Sequence, residues 1–268
     1  MDNGLGYYNL TLKTSDGVAI KGWFMFQDHM PRGEESTPTL VYMHENEHSN
    51  QMRLPLFNYL VHQCHVNVLA MAYRGYSESE GVAHEAGLKK DADAIMDFIA
   101  NPSVNQEISA KLNTKMVFVH GKGLGAALAI YMAHERENLW QGLISENAFT
   151  AVRDVVEHKY FFGEHFSWLS RNHWDNRALV VDLNLPILYI AGRNDGIVPY
   201  EQTKELYDLS KKVNFKNQYI VPTGRHHNLF YTGASTYAAN ITTFIFKSLD
   251  KYEPGLLRGQ SKAAKEEK

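Results

Sequence analysis

The stretch Met116-Val117-Phe118-Val119-His120-Gly121-Lys122-Gly123-Leu124-Gly125-Ala126-Ala127 decides the fold. Its first four residues are apolar without a break, the pattern of a strand buried on both faces. Three glycines at alternate positions then mark a tight turn. Leucine and small residues follow, and the spacing predicts a helix to about residue 135. A strand that runs directly into a helix is half of a βαβ unit, and βαβ units build parallel sheets. In such sheets the chemistry gathers at the carboxyl ends of the strands, so residues 120–125 are the first place to seek it.

The rest of the chain repeats the rhythm. Residues 40–43, 66–72, 142–145, 187–191 and 218–221 read as strands. Residues 55–64, 85–100, 202–209 and 234–249 read as helices. Ahead of them, Tyr8, Leu10 and Leu12 alternate with Asn9, Thr11 and Lys13. With the turn Ser15-Asp16-Gly17 and the β-rich run 18–26, they predict an opening hairpin. The expectation is one α/β domain over residues 1–252, with a mostly parallel central sheet and helices on both faces. Residues 149–184 break the alternation. Rich in aromatics (Tyr160, Phe161, Phe162, Phe166, Trp168, Trp174), they read as a small inserted cap. Residues 253–268 read as a polar tail.

Composition narrows the function classes. With 27 basic and 30 acidic residues, the formal charge of −3 gives no footprint for nucleic acid. The single cysteine, Cys64, forbids an internal disulfide and points to a reducing compartment. No run of about 18 apolar residues is present, so no transmembrane segment is expected. Met1-Asp2-Asn3-Gly4 offers neither a signal peptide nor a myristoylation site. The expected location is cytoplasmic or cytoskeleton-associated, with an organelle assembly left open.

The glycine-rich turn resembles the nucleophile elbow G-x-S-x-G of the α/β hydrolases. Four further segments carry the resemblance: Tyr73-Arg74-Gly75-Tyr76 with Gly81, Ser145-Glu146-Asn147-Ala148-Phe149, Asp195-Gly196-Ile197-Val198-Pro199, and Gly224-Arg225-His226-His227-Asn228. In this order they resemble the eukaryotic α/β-hydrolase-domain serine hydrolases over roughly residues 8–251. The resemblance implies an α/β-hydrolase fold and a triad in the order Ser, Asp, His. Asp195 matches the acid position. The base is His226 by spacing from Gly224, or His227 by its adjoining Asn228.

The nucleophile serine is replaced by Gly123, so these positions read as vestiges of a triad. The loop whose amides help bind the oxyanion in the family here reads His44-Glu45-Asn46-Glu47-His48, with Leu124 as the other expected amide donor. Glu45 and Glu47 stand where negative charge would develop, which opposes oxyanion binding. Lys122, beside the elbow and the start of the next helix, is a candidate anion site or a surface lysine packed on the loop.

Other motifs read as structural. His44-Glu45-Asn46-Glu47-His48 matches H-E-x-x-H, but it follows a strand and lacks the helical period that zinc chemistry needs. His62-Gln63-Cys64-His65 reads as a helix end. Gly121, Gly123 and Gly125 lack dinucleotide-fingerprint spacing. No metal and no cofactor are expected. The function expected is a pseudoenzyme, serving as a structural or interaction subunit with protein partners in a larger assembly. The alternatives are a ligand-binding pseudo-hydrolase, or a residual esterase or thioesterase.

Overall fold

In a computed structural model, which describes residues 4–27, 37–47, 49–159 and 172–252, the elements alternate much as the sequence implies. Strands β1 (Leu5–Lys13) and β2 (Ala19–Gln27) form the antiparallel hairpin. Strands β3 (Thr39–Met43), β4 (Asn67–Met71), β5 (Val117–Lys122), β6 (Gly142–Glu146), β7 (Ile187–Gly192) and β8 (Lys216–Val221) follow. Their spatial order is β1-β2-β4-β3-β5-β6-β7-β8, parallel from β4 to β8 and antiparallel where β2 meets β4. Every residue of β3 to β7 is buried, because helices cover both faces.

Helices α1 (Leu54–Cys64) and α8 (Leu229–Tyr252) pack on one face, through Phe57, Leu60, Tyr237 and Phe244. Helices α2 (Glu85–Ala100), α4 (Leu124–Glu135) and α7 (Tyr200–Leu209) cover the other, through Ile95, Leu128 and Leu206. Two four- to five-residue helices were not expected: α3 (Gln106–Ser109) and α6 (Asn176–Val180). Helix α5 (Val152–Lys159) and α6 lie within the segment read as a cap. Most of that segment's aromatic residues and the polar tail lie outside the described residues.

The sheet reverses its direction of growth between β3 and β5, since β4 lies on one side of β3 and β5 on the other. That switch point opens a crevice beyond the carboxyl ends of both strands. It brings the loop after β3 beside the turn after β5. Helix α4 starts hard against β3: a Cβ on Gly125 would stand 1.9 Å from the Met43 carbonyl oxygen. Only glycine permits that approach.

One helix differs from expectation. Helix α8 starts at Leu229 rather than near residue 234, and bends at Ala234, whose φ is 34°. The Tyr59 hydroxyl donates to the Ala234 carbonyl at 2.5 Å and ties the bend to α1. On the α1 side of that seam, Cys64 is 2% exposed and packs beneath α8.

Candidate functional site

The acid and base come from loops after the last two strands. Asp195 follows β7. Its Oδ1 accepts the backbone N–H groups of Ile197 (2.8 Å) and Val198 (2.9 Å). Its Oδ2 accepts from His226 Nδ1 at 2.7 Å. His226, between β8 and α8, is therefore the base partner, and the choice left open between the two histidines falls to it. His227 sits at the rim, 42% exposed, with Nε2 3.4 Å from Glu47. Burial holds its imidazole below the ordinary range, helped by His226 and Lys122.

Gly123 lies opposite His226. Its φ of 55° and ψ of −116° suit glycine, and its N–H donates to the Glu146 carbonyl at 2.9 Å. A Cβ placed on Gly123 would lie 3.5 Å from His226 Nε2 and 3.5 Å from the Glu45 Cβ, in ordinary contact. Room for a serine is thus kept and the serine is missing. Leu124 opens α4, so its N–H belongs to the helical first turn that has no internal acceptor.

Beneath the elbow lies a charged cluster that sequence order hides. Arg53 Nε lies 3.1 Å from Glu45 Oε2, and Lys122 Nζ lies 3.7 Å from Glu45 and 3.9 Å from Glu146. His120 and Tyr237 complete it at 3.1 and 2.6 Å from Glu146. Burial pushes the Glu45 carboxyl up, but Lys122 and Arg53 outweigh it and hold it at about 2. Burial likewise raises the Glu146 carboxyl, and its hydrogen bond with His120 and the nearby charge of Lys122 bring it below the usual range.

Two expectations change. Lys122 is neither a surface lysine nor free for an anion: it is 5% exposed and set between two internal carboxylates. Glu45 does not oppose an oxyanion with a bare charge, because two cations compensate it.

His44 is committed internally. Its Nδ1 meets the Glu45 carbonyl at 2.7 Å, and its Nε2 receives the Tyr73 N–H at 3.3 Å. Burial depresses its imidazole to about 3, with Arg53 adding to the effect. The neutral ring satisfies both bonds, so metal ligation would break one of them. His48 lies outside the described residues. Among those described, no three His, Cys, Asp or Glu side chains gather as a metal site.

Several residues that hold the site were not anticipated. Asn147, at φ 46°, donates to the His226 carbonyl at 3.0 Å and accepts the Gly192 N–H at 3.0 Å. It fastens the base loop to the end of β7. Arg74 joins Asp91 at 2.9 Å and Asp16 at 2.9 Å, tying the loop after β4 to α2 and the hairpin turn. Both residues stand in segments that carry the family resemblance, but their contacts come from distant parts of the chain.

A cavity of about 310 Å³ opens above the elbow, at the small end of the range for ligand sites. Gly123, Leu124 and His226 form one end. Leu88, Phe149, Val152, Val155, Trp174 and Val198 supply apolar wall, with Glu47 also on the lining.

No family model matches the chain. It is 26% identical to the alpha/beta hydrolase domain-containing protein WAV2 of Arabidopsis thaliana, over 92% of this chain and 80% of the relative. It is 32% identical to protein bem46 of Schizosaccharomyces pombe, over 76% of this chain and 65% of that protein. The esterase Pf2001 of Pyrococcus furiosus superposes with a TM-score of 0.73 at 20% identity, over 92% of each chain, which shows the fold. The eight-stranded sheet and its likeness to the esterase show that the chain has the α/β-hydrolase fold, and its sequence is similar to that of a protein named for an α/β-hydrolase domain.

Proposed function

We propose that this chain works without serine-nucleophile chemistry, as an interaction or structural subunit of a larger protein assembly. The observation that carries the reading is Gly123 at the elbow, facing an intact His226–Asp195 pair. The pair has no protein hydroxyl at that position to deprotonate. In serine hydrolases, losing the nucleophile costs on the order of 10⁶ in kcat, and what survives depends on the oxyanion hole. Here the loop that supplies an oxyanion amide in the family carries Glu45, tied into the ionic cluster beside the elbow.

The test is reactivity of the full chain with a fluorophosphonate probe and with short p-nitrophenyl esters, beside recovery of partners from native extract. No labelling, no turnover and stoichiometric co-purification are expected. Turnover that disappears in His226→Ala would overturn the reading.

The retained cavity favours a second reading, a ligand-binding pseudo-hydrolase. A largely apolar cavity of about 310 Å³ with His226 on its lining is suited to holding a small molecule without turning it over.

A further inference from the structure

The hydrogen-bond pattern of the dyad fixes what a ligand in this cavity must present. Three donors converge on the Asp195 carboxylate: the Ile197 and Val198 amides and His226 Nδ1. A carboxylate receiving three donors has no hydrogen to give, so His226 Nδ1 carries the proton of that bond. In the neutral ring Nε2 is then an acceptor. His226 is 7% exposed and lines the cavity. Its Nε2 faces the space over Gly123, where a serine hydroxyl would have donated to it. A buried acceptor aimed at an apolar cavity favours a ligand that brings the missing donor.

At His226 the same geometry disfavours the acid product of ester hydrolysis. An ionised carboxylate is an acceptor only, and would meet the Nε2 lone pair. Glu47, on the cavity lining, adds a charge of the same sign. A neutral hydroxyl has neither fault. Val152, Val155 and Val198, with Phe149 and Trp174, give an alkyl tail its wall.

We propose that the cavity binds a neutral medium-chain alcohol, its tail against these apolar walls and its hydroxyl donating to His226 Nε2 in the space left by the elbow side chain. This rests on the reading that Gly123 ends serine chemistry, since a serine hydroxyl would itself occupy the acceptor.

The experiment titrates the full chain with 1-octanol, octyl methyl ether and octanoate at pH 8, followed by tryptophan fluorescence and calorimetry. Trp174 on the cavity wall supplies the optical signal. Octanol is expected to bind about tenfold more tightly than the ether or the acid, the size of one well-placed hydrogen bond. His226→Phe should make octanol and the ether equal. Gly123→Ser should weaken octanol about tenfold, by supplying an internal donor. Val155→Trp, which narrows the cavity from α5 and leaves the dyad alone, should abolish octanol binding even if the other variants misfold. An ether or octanoate binding as tightly as octanol overturns the proposal. So does a preference for octanol that survives His226→Phe, or unaltered octanol binding in Val155→Trp. Turnover of p-nitrophenyl octanoate is measured on the same sample. If wild-type turnover appears and is lost in His226→Phe, the non-catalytic reading fails whatever the binding result. Absent turnover with no donor preference removes the ligand assignment alone.

Discussion

Two arms meet in the crevice, and they have fared differently. The arm after β7 and β8 keeps an acid and a base at 2.7 Å, in order and in place. The arm after β3 and β5 has a glycine for its nucleophile, and its loop acid is drawn into a buried ionic cluster. The contrast teaches what holds each arm together. Asp195 caps its own loop with two amide bonds, and Asn147 fastens the His226 loop to the end of β7. Those bonds would hold the pair in register with no reaction to serve. On the other arm, Lys122 and Arg53 now anchor Glu45 instead of leaving the loop to greet a substrate.

The largest expected effect lies in the ionic arm. Lys122→Met leaves Glu45 without one of its two cations and Glu146 without its ammonium, so it should destabilise the chain by about 3–5 kcal/mol. Urea unfolding measures it. A loss under about 1 kcal/mol would show that the cluster is not what anchors this arm.

On the other arm, Asp195→Ala removes three hydrogen bonds to a charged acceptor and should cost about 2–4 kcal/mol. His226→Ala, which removes one, should cost less. Equal costs in the same denaturation assay would mean that the loop amides contribute nothing, and that the pair alone holds the arm.

Acid should break the β3 loop first. Both shifts there are depressions. Glu45 contributes stability above its unfolded value near 4.5, which is lost as pH falls toward about 2. The unfolded chain protonates His44 near 6.5, whereas the folded chain resists until about 3, so this contribution too is full at neutral pH and lost on acidification. Together they should lower stability by about 5 kcal/mol between pH 7 and pH 3.5. His44→Asn should flatten the upper part of that fall and Glu45→Gln the lower part, read from urea midpoints across pH.

The smallest effect is at the elbow itself. Gly123→Ser puts its Cβ in ordinary contact with His226 and Glu45, so the backbone conformation is what opposes it, at about 1–2 kcal/mol. The restored hydroxyl should be labelled by a fluorophosphonate, with ester turnover staying weak. Brisk turnover would show that the loop amides still bind an oxyanion.

The order of strands, the elbow and Asp195 were legible because each is written in a few adjacent residues: an apolar run, a glycine spacing, Asp-Gly before Val198-Pro199. The pairing of His226 was half legible, since two neighbouring histidines satisfied the same pattern until the Asp195 contact separated them. The ionic cluster was not legible. Arg53, Glu45, Lys122 and Glu146 come from four separate segments, and nothing local distinguishes a buried lysine from a surface one. Lys122 follows Gly121 in a turn-like sequence, yet it is the last residue of β5 and its side chain is inside. The start of α8 was misplaced for a related reason: the helix runs through a kink at Ala234 that the Tyr59 contact from α1 holds, and that contact is not local.

The seam between α1 and α8 has a practical consequence. Cys64 supplies the chain's one thiol, 2% exposed, with burial pushing it up to about 12. At neutral pH it is shielded from alkylating reagents and almost entirely protonated. Its modification must wait until the two helices part. The rate at which a maleimide or iodoacetamide consumes that thiol is therefore a clock for opening of the layer that backs Tyr237 and the ionic cluster. Run in a bound and a free preparation, the clock would report whether an assembly partner grips this face of the sheet or leaves it to breathe.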